Sequence, residues 1–260
     1  MVTTNRVCST DGHIPILDDI YAESETQKAP LGTRMAWADG RVYKYFQNGA
    51  GAQAAGKLMQ QPTLLVGWDN SVKPVAAAIG ATQIGCSATI GTSVVDTNIE
   101  VTACVDGFIG VRSGAGQGYQ YQIKSHTAIS SNSAFTMNLY DPLLIALGAT
   151  ASCCLIRNPY KDLIVSEATA TGAIIGVATI VHTADYFGWC QTWGLGLGYD
   201  DADADGPIGA GDQVQRSIST AGYICGPRTT AGVSHAAVVG EAVHDGVSDQ
   251  LVPVIWKISP

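Results

Sequence analysis

The sequence predicts an all-β protein whose body is a sandwich or a barrel-like sheet. Thirty glycines and only 14% charged residues give a turn-rich composition with little helical character. Short segments in which apolar and polar residues alternate recur along the chain. Turn dipeptides such as Asp39-Gly40 and Asp106-Gly107 separate these segments. Alternation bounded by turn signals is the pattern of antiparallel strands.

Two regions are predicted. Residues 1–30 form an extended N-terminal arm, since they are polar, carry Pro15 and Pro30, and have acidic residues near position 20. Residues 31–260 form the β-rich body, with two β lobes as an open alternative. The arm is either a disordered tail or a segment laid on a neighbouring subunit. In the second case its interface residues are Ile14, Ile16, Leu17 and Tyr21.

The body begins with a predicted hairpin. Residues 31–37 and 41–47 alternate on either side of Ala38-Asp39-Gly40, and a further strand starts at Lys57. The next predicted strands are residues 63–66, 75–79, 89–95, 99–105, 108–111 and 119–124.

The second half continues this pattern. Residues 134–139, 152–156 and 163–165 are predicted strands, and Pro142 favours one helical turn over 143–147. Residues 176–182, 186–194 and 209–215 form a meander, and 251–258 the closing strand. The run Tyr186-Phe-Gly-Trp-Cys-Gln-Thr-Trp-Gly194 is the densest aromatic cluster. Core, subunit interface and sugar-binding surface are its three interpretations, in that order.

One motif has metal-ligand spacing. Asp201, Asp203 and Asp205 precede Gly206, and Asp212 stands at the twelfth position, as in Ca²⁺-binding loops. Amphipathic helices do not flank the motif and Pro207 follows the glycine. A solvated acidic hairpin loop is therefore favoured over a Ca²⁺ site, and no other cofactor is expected.

Catalysis is not predicted. No two of the five histidines are four residues apart, and no Gly-x-Ser-x-Gly motif occurs. The Gly-x-Gly-x-Gly of residues 114–118 precedes a strand-like segment, whereas a phosphate site needs a helix there. We expect a protein that is not an enzyme.

Charge and cysteine usage limit the partners. The net charge of −8 disfavours nucleic acid and anionic membranes. Seven cysteines, an odd number without a Cys-x-x-Cys motif, predict reduced thiols and assembly in a cytoplasm. The N-terminus has no signal-peptide pattern, and no apolar run is long enough to span a membrane.

Several stretches in succession resemble virion structural proteins of tailed bacteriophages. They are Leu31-Gly-Thr-Arg34, Gly40-Arg-Val-Tyr-Lys-Tyr45, Ala54-Ala-Gly-Lys-Leu58, Gly116-Gln-Gly-Tyr-Gln-Tyr-Gln-Ile-Lys124, Phe135-Thr-Met-Asn-Leu-Tyr-Asp-Pro-Leu143, Asn158-Pro-Tyr-Lys-Asp162, Tyr186 to Gly194, and Ala210-Gly-Asp212. The resemblance implies a capsid decoration (cement) protein on the outside of the phage head, assembled in the host cytoplasm. Its implied partners are the major capsid protein and copies of itself, as a homotrimer. The alternatives are a carbohydrate-binding adhesin or a spike or tail-associated virion protein.

Overall fold

The computed structural model describes residues 19–63, 72–88, 102–129, 134–201, 208–227 and 237–260. These residues form sixteen strands and no helix, so the predicted all-β fold with barrel-like character is confirmed. Within these ranges, no helix is long and apolar enough to cross a membrane. The chain divides into two compact units, a large one of residues 1–63 and 160–260 and a small one of residues 64–159.

The large unit holds ten strands in one antiparallel sheet. They are β1 (Arg34–Ala36), β2 (Val42–Gln47), β3 (Leu58–Gln60), β10 (Ile164–Val165), β11 (Ile174–Ala178), β12 (Phe187–Tyr199), β13 (Gln213–Arg216), β14 (Ile224–Cys225), β15 (Val238–Ala242) and β16 (Leu251–Lys257). Their order is β10-β3-β11-β12-β16-β15-β13-β14, and the predicted β1–β2 hairpin joins at β12.

The sheet is organised around β12, which changes partners along its length. Its first half pairs with β2 and its second half, from Trp193, pairs with β16. A register shift between Gln191 and Trp193 marks the change. Gly194 follows with φ of +85°, and a Cβ there would lie 2.9 Å from the Arg41 Cα. Only glycine fits this bend.

The large sheet curls until its ends meet. The Leu58 N–H donates to the Gly222 carbonyl at 2.9 Å, and the Asp201 N–H donates to the Ile224 carbonyl at 2.8 Å. The curl encloses a core that includes Leu58, Val214 and Trp256. Backbone groups at the sheet ends therefore have partners within the same unit.

The described part of the predicted arm lies against this sheet. Ile20 is fully buried in a cluster with Tyr45 and Trp189. Ser24 forms a bridge with Phe187, in which each N–H donates to the other carbonyl. Residues 19–30 are thus fixed to the first half of β12.

The small unit is a closed six-stranded barrel. Its strands are β4 (Val72–Pro74), β5 (Gln83–Ala88), β6 (Phe108–Ser113), β7 (Gln120–His126), β8 (Ala134–Leu139) and β9 (Ser152–Ile156), in the order β4-β5-β8-β7-β6-β9. Buried side chains such as Ile84, Ile123 and Met137 fill its interior. Closure gives each of these six strands two neighbours.

Three local predictions about the small unit are wrong. A strand was predicted at residues 75–79, but the strand of this region is β4, because the pairing with β5 and β9 falls on Val72–Pro74. Residues 143–147 form no helical turn, because Leu143 and Leu147 exchange backbone hydrogen bonds with the segment around Ala77. Residues 102–105 form a turn, and the predicted strands 63–66 and 89–95 lie almost entirely outside the described residues.

Candidate functional site

The small unit exposes three aliphatic side chains on two neighbouring segments. Val75, Ile79 and Leu144 are 57%, 67% and 71% exposed, and we call them the barrel patch. Single exposed aliphatic side chains are ordinary on protein surfaces, so the interest of these three lies in the backbone arrangement that holds them.

Hydrogen bonds hold the two segments of the barrel patch together. The Gly80 N–H donates to the Leu143 carbonyl at 2.8 Å, and the Leu143 N–H donates to the Ala81 carbonyl at 2.9 Å. The neighbouring Leu144 N–H donates to the Tyr121 hydroxyl at 3.2 Å. Leu143 is buried, whereas the adjacent Leu144 is 71% exposed. The backbone that carries the exposed side chains of Ile79 and Leu144 is therefore held in place by hydrogen bonds.

The large unit contains a cavity of about 420 Å³, which we call the sheet cavity. Its walls come from the bend of β12, from β11 and β16, and from the chain before β3. The lining residues are Tyr21, Arg41, Tyr43, Ala55, Gly56, Val177, Ala178, Thr179, Gln191, Leu195, Gly196, Leu197, Leu251 and Pro253. Its lining is mostly apolar, as the lining of ligand-binding pockets commonly is.

One end of the sheet cavity is polar but carries little net charge. The Arg41 Nε donates to Asp39 at 2.7 Å, and its guanidinium stacks on Trp37 at 4.3 Å from the ring centroid. Burial raises the pKa of Tyr43 to about 12, so its phenol is neutral at physiological pH. The cavity therefore suits an apolar group with neutral polar atoms better than a free ion.

The other end of the sheet cavity is an exposed leucine ridge. Leu195 and Leu197 project from β12, and Leu251 and Ile255 project beside them from β16, all more than two-fifths exposed. Ile255 does not line the cavity.

No family model, curated protein or solved structure matches the chain.

The predicted interface residues are only partly described. Tyr21 is 55% exposed and stands at the sheet cavity. Ile14, Ile16 and Leu17 lie outside the described residues, so their role stays a prediction.

The predicted acidic loop is described at its two ends. Asp201 is buried and accepts a hydrogen bond from the Ser217 hydroxyl at 2.5 Å. Asp212 accepts one from the Gly209 N–H at 2.9 Å, which forms a local turn. Asp203 and Asp205 lie outside the described residues. Both described carboxylates thus have protein donors, and the choice between Ca²⁺ site and acidic hairpin stays a prediction.

Titratable groups do not converge in the described ranges. There, no three His, Cys, Asp or Glu side chains are close enough to hold a metal ion. His182 is fully buried against Phe46, with ring centroids 4.8 Å apart, and burial lowers its pKa to about 4. The His126 Nε2 accepts a hydrogen bond from the Cys104 N–H at 3.1 Å. Both histidines occupy positions within the packed structure.

Sequence reasoning missed the barrel patch and the leucine ridge. Ile79 belonged to a predicted strand and Leu144 to a predicted helical turn. Neither pattern indicates which side chains of the segment face solvent. The aromatic run was easier to interpret, because Trp189 is buried in the core.

Proposed function

We propose that the protein is a structural binding protein that decorates the outside of a phage head, as the sequence resemblance implies. The barrel patch carries the proposal, because it is an apolar surface held in place by backbone hydrogen bonds. A decoration protein needs such a surface to bind the shell without catalysis. Its binding partner in this proposal is the major capsid protein.

The expected energetics fit a symmetric assembly. Burial of one Ile or Leu side chain contributes about 1.5–3 kcal/mol, so a patch of three gives a contact of modest strength. A trimer that engages three equivalent shell sites multiplies that contact through effective concentration. We therefore expect a homotrimer that binds capsids far more tightly than isolated capsid subunits.

Charge supports an external position. The net charge of −8 opposes contact with packaged DNA. The adhesin alternative has less support, because Trp189 of the aromatic run is buried and offers no face to a sugar ring.

Cosedimentation with purified, undecorated phage heads tests the proposal. We expect saturable binding at a symmetric copy number and heads that resist bursting by heat. Ile79→Asp and Leu144→Asp should each weaken binding about tenfold or more, since about 1.4 kcal/mol corresponds to a factor of ten. Val247→Asp alters an aliphatic side chain in the large unit that is also more than half exposed, so it is the matched control and should bind as wild type.

Melting temperatures of the three variants should match that of wild type, because the altered side chains are exposed. Absence of binding by folded wild-type protein would overturn the proposal. Binding unaffected by Ile79→Asp and Leu144→Asp would overturn the assignment of the patch.

A further inference from the structure

Leu197 lines the sheet cavity, and among the described residues its backbone N–H and carbonyl have no strand partner. Leu197 is paired with Pro253, which has no N–H and whose carbonyl accepts a hydrogen bond from the Val243 N–H. The Leu197 N–H and carbonyl therefore point away from β16. Two residues later, on that same edge, the Tyr199 N–H donates to the Gly56 carbonyl at 3.2 Å.

Within the part of the chain that the structure describes, β2 is the last strand that pairs with this edge of β12. The β2 pairing ends at Trp193, and at Leu195 the carbonyl is bonded by the Gln191 side chain at 2.9 Å. The cavity thus lies where a short extended peptide can add to β12 through main-chain hydrogen bonds. Leu195 and Leu251 would flank its side chains.

The described chain begins at this cavity. Tyr21 lines it, and the Ile20 carbonyl accepts a hydrogen bond at 3.1 Å from Thr179, another lining residue. Eighteen residues precede Asp19 in the sequence. Leu17 is four residues from Tyr21, which an extended chain spans in about 14 Å.

The sequence just before this point is suited to such an edge. Ile14-Pro15-Ile16-Leu17 is an apolar run within a polar stretch. Pro15 lacks an N–H and its ring favours extended backbone, which an added edge strand tolerates. A segment tethered this closely has a high effective concentration at the cavity.

We propose that residues 14–17 occupy the sheet cavity of their own chain and pair with the Leu197 edge of β12. The inference concerns a surface other than the barrel patch and does not depend on what the protein decorates.

Limited proteolysis of the full chain with thermolysin, which cleaves before Ile and Leu, tests the proposal. Cleavage within residues 14–17 should be at least about tenfold faster in Leu197→Asp than in wild type, because the docked segment is released. Ile255→Asp is the matched control, since Ile255 lies on the same ridge but not in the cavity. Its cleavage should match wild type, and all three proteins should melt alike.

Cross-linking distinguishes residues 14–17 of the same chain from those of a second copy as the occupant of the sheet cavity. In a Cys8→Ser background, Leu17→Cys with Leu197→Cys should form a disulfide that leaves a single chain on a non-reducing denaturing gel. Leu17→Cys with Ile255→Cys should not cross-link. A covalent dimer would show that the segment comes from a second copy and would overturn the proposal. Equal cleavage of wild type and Leu197→Asp would also overturn it, because the cavity would then have no such occupant.

Discussion

Acid should destabilise the protein through His182. The side chain is fully buried beside Phe46, and among the described residues neither ring nitrogen makes a hydrogen bond of normal geometry. The nearby Glu23 carboxylate and Trp189 backbone offset only part of the effect of burial. A charged imidazole is costly there, so burial lowers the pKa to about 4 from the ordinary value of 6.5. Protonation therefore favours the unfolded state, and stability falls as the pH drops below 6.5.

The size of the effect follows from the two pKa values. A difference of 2.5 units corresponds to about 3.4 kcal/mol when fully developed, which requires a pH below 4. Between about pH 7.5 and about pH 4.5 the loss is about 2.5 kcal/mol. Glu23 acts at lower pH. Burial opposes its ionisation, but hydrogen bonds from Thr183 outweigh this and lower its pKa below 4.5.

Urea unfolding at several pH values measures the effect. Between about pH 7.5 and about pH 4.5, the free energy of unfolding of His182→Leu should fall by about 2.5 kcal/mol less than that of wild type, because the titrating group is gone. Val214→Ala is the control, since Val214 is buried in the Trp256 core. It should lower stability by a similar amount at every pH. An equal pH dependence in wild type and His182→Leu would refute the reasoning.

Three further predictions concern single residues. Burial raises the pKa of the Cys190 thiol to about 12, so its reaction with a disulfide reagent at about pH 8 should be at least 100-fold slower in native than in unfolded protein. Gly194→Ala should cost about 2 kcal/mol in urea unfolding, because φ is +85° and the new Cβ would lie 2.9 Å from the backbone Cα of Arg41. Gly40→Ala has φ of +89° but open space, so it should cost less, and an equal cost would contradict the steric argument. Gln191→Leu should cost about 1–3 kcal/mol by the same measurement, because the lost amide donates to three backbone carbonyls; an unchanged unfolding midpoint would refute that role.

The sequence predicted well the elements that local signals define. The β1–β2 hairpin follows from alternation around Asp39-Gly40, and β7, β8, β9 and β16 follow from alternation or apolar runs bounded by turns. These signals act within a few residues of the strand itself.

Local signals could not predict which strands pair when they are distant in the sequence. The barrel is inserted between β3 and β10, yet these strands pair with each other, Gln60 with Ile164 and Met59 with Val165. More than a hundred residues separate the partners, and no local pattern announces the pairing. The two-residue strands β10 and β14 exist because neighbours already fixed in the sheet offer hydrogen bonds.

The candidate site was missed for a physical reason that β12 makes clear. In Leu195-Gly-Leu-Gly-Tyr199 the alternation predicts leucines that face the core and glycines that face solvent. The structure has the opposite orientation, because the indole of Trp256 fills the core side. A Cβ at Gly196 or Gly198 would lie 2.6 or 2.7 Å from that ring. The glycines therefore make room for one large side chain from β16, and the leucines are left outside at the sheet cavity. A tertiary contact thus reverses the local pattern and at the same time creates the apolar surface on which the proposed docking of residues 14–17 depends.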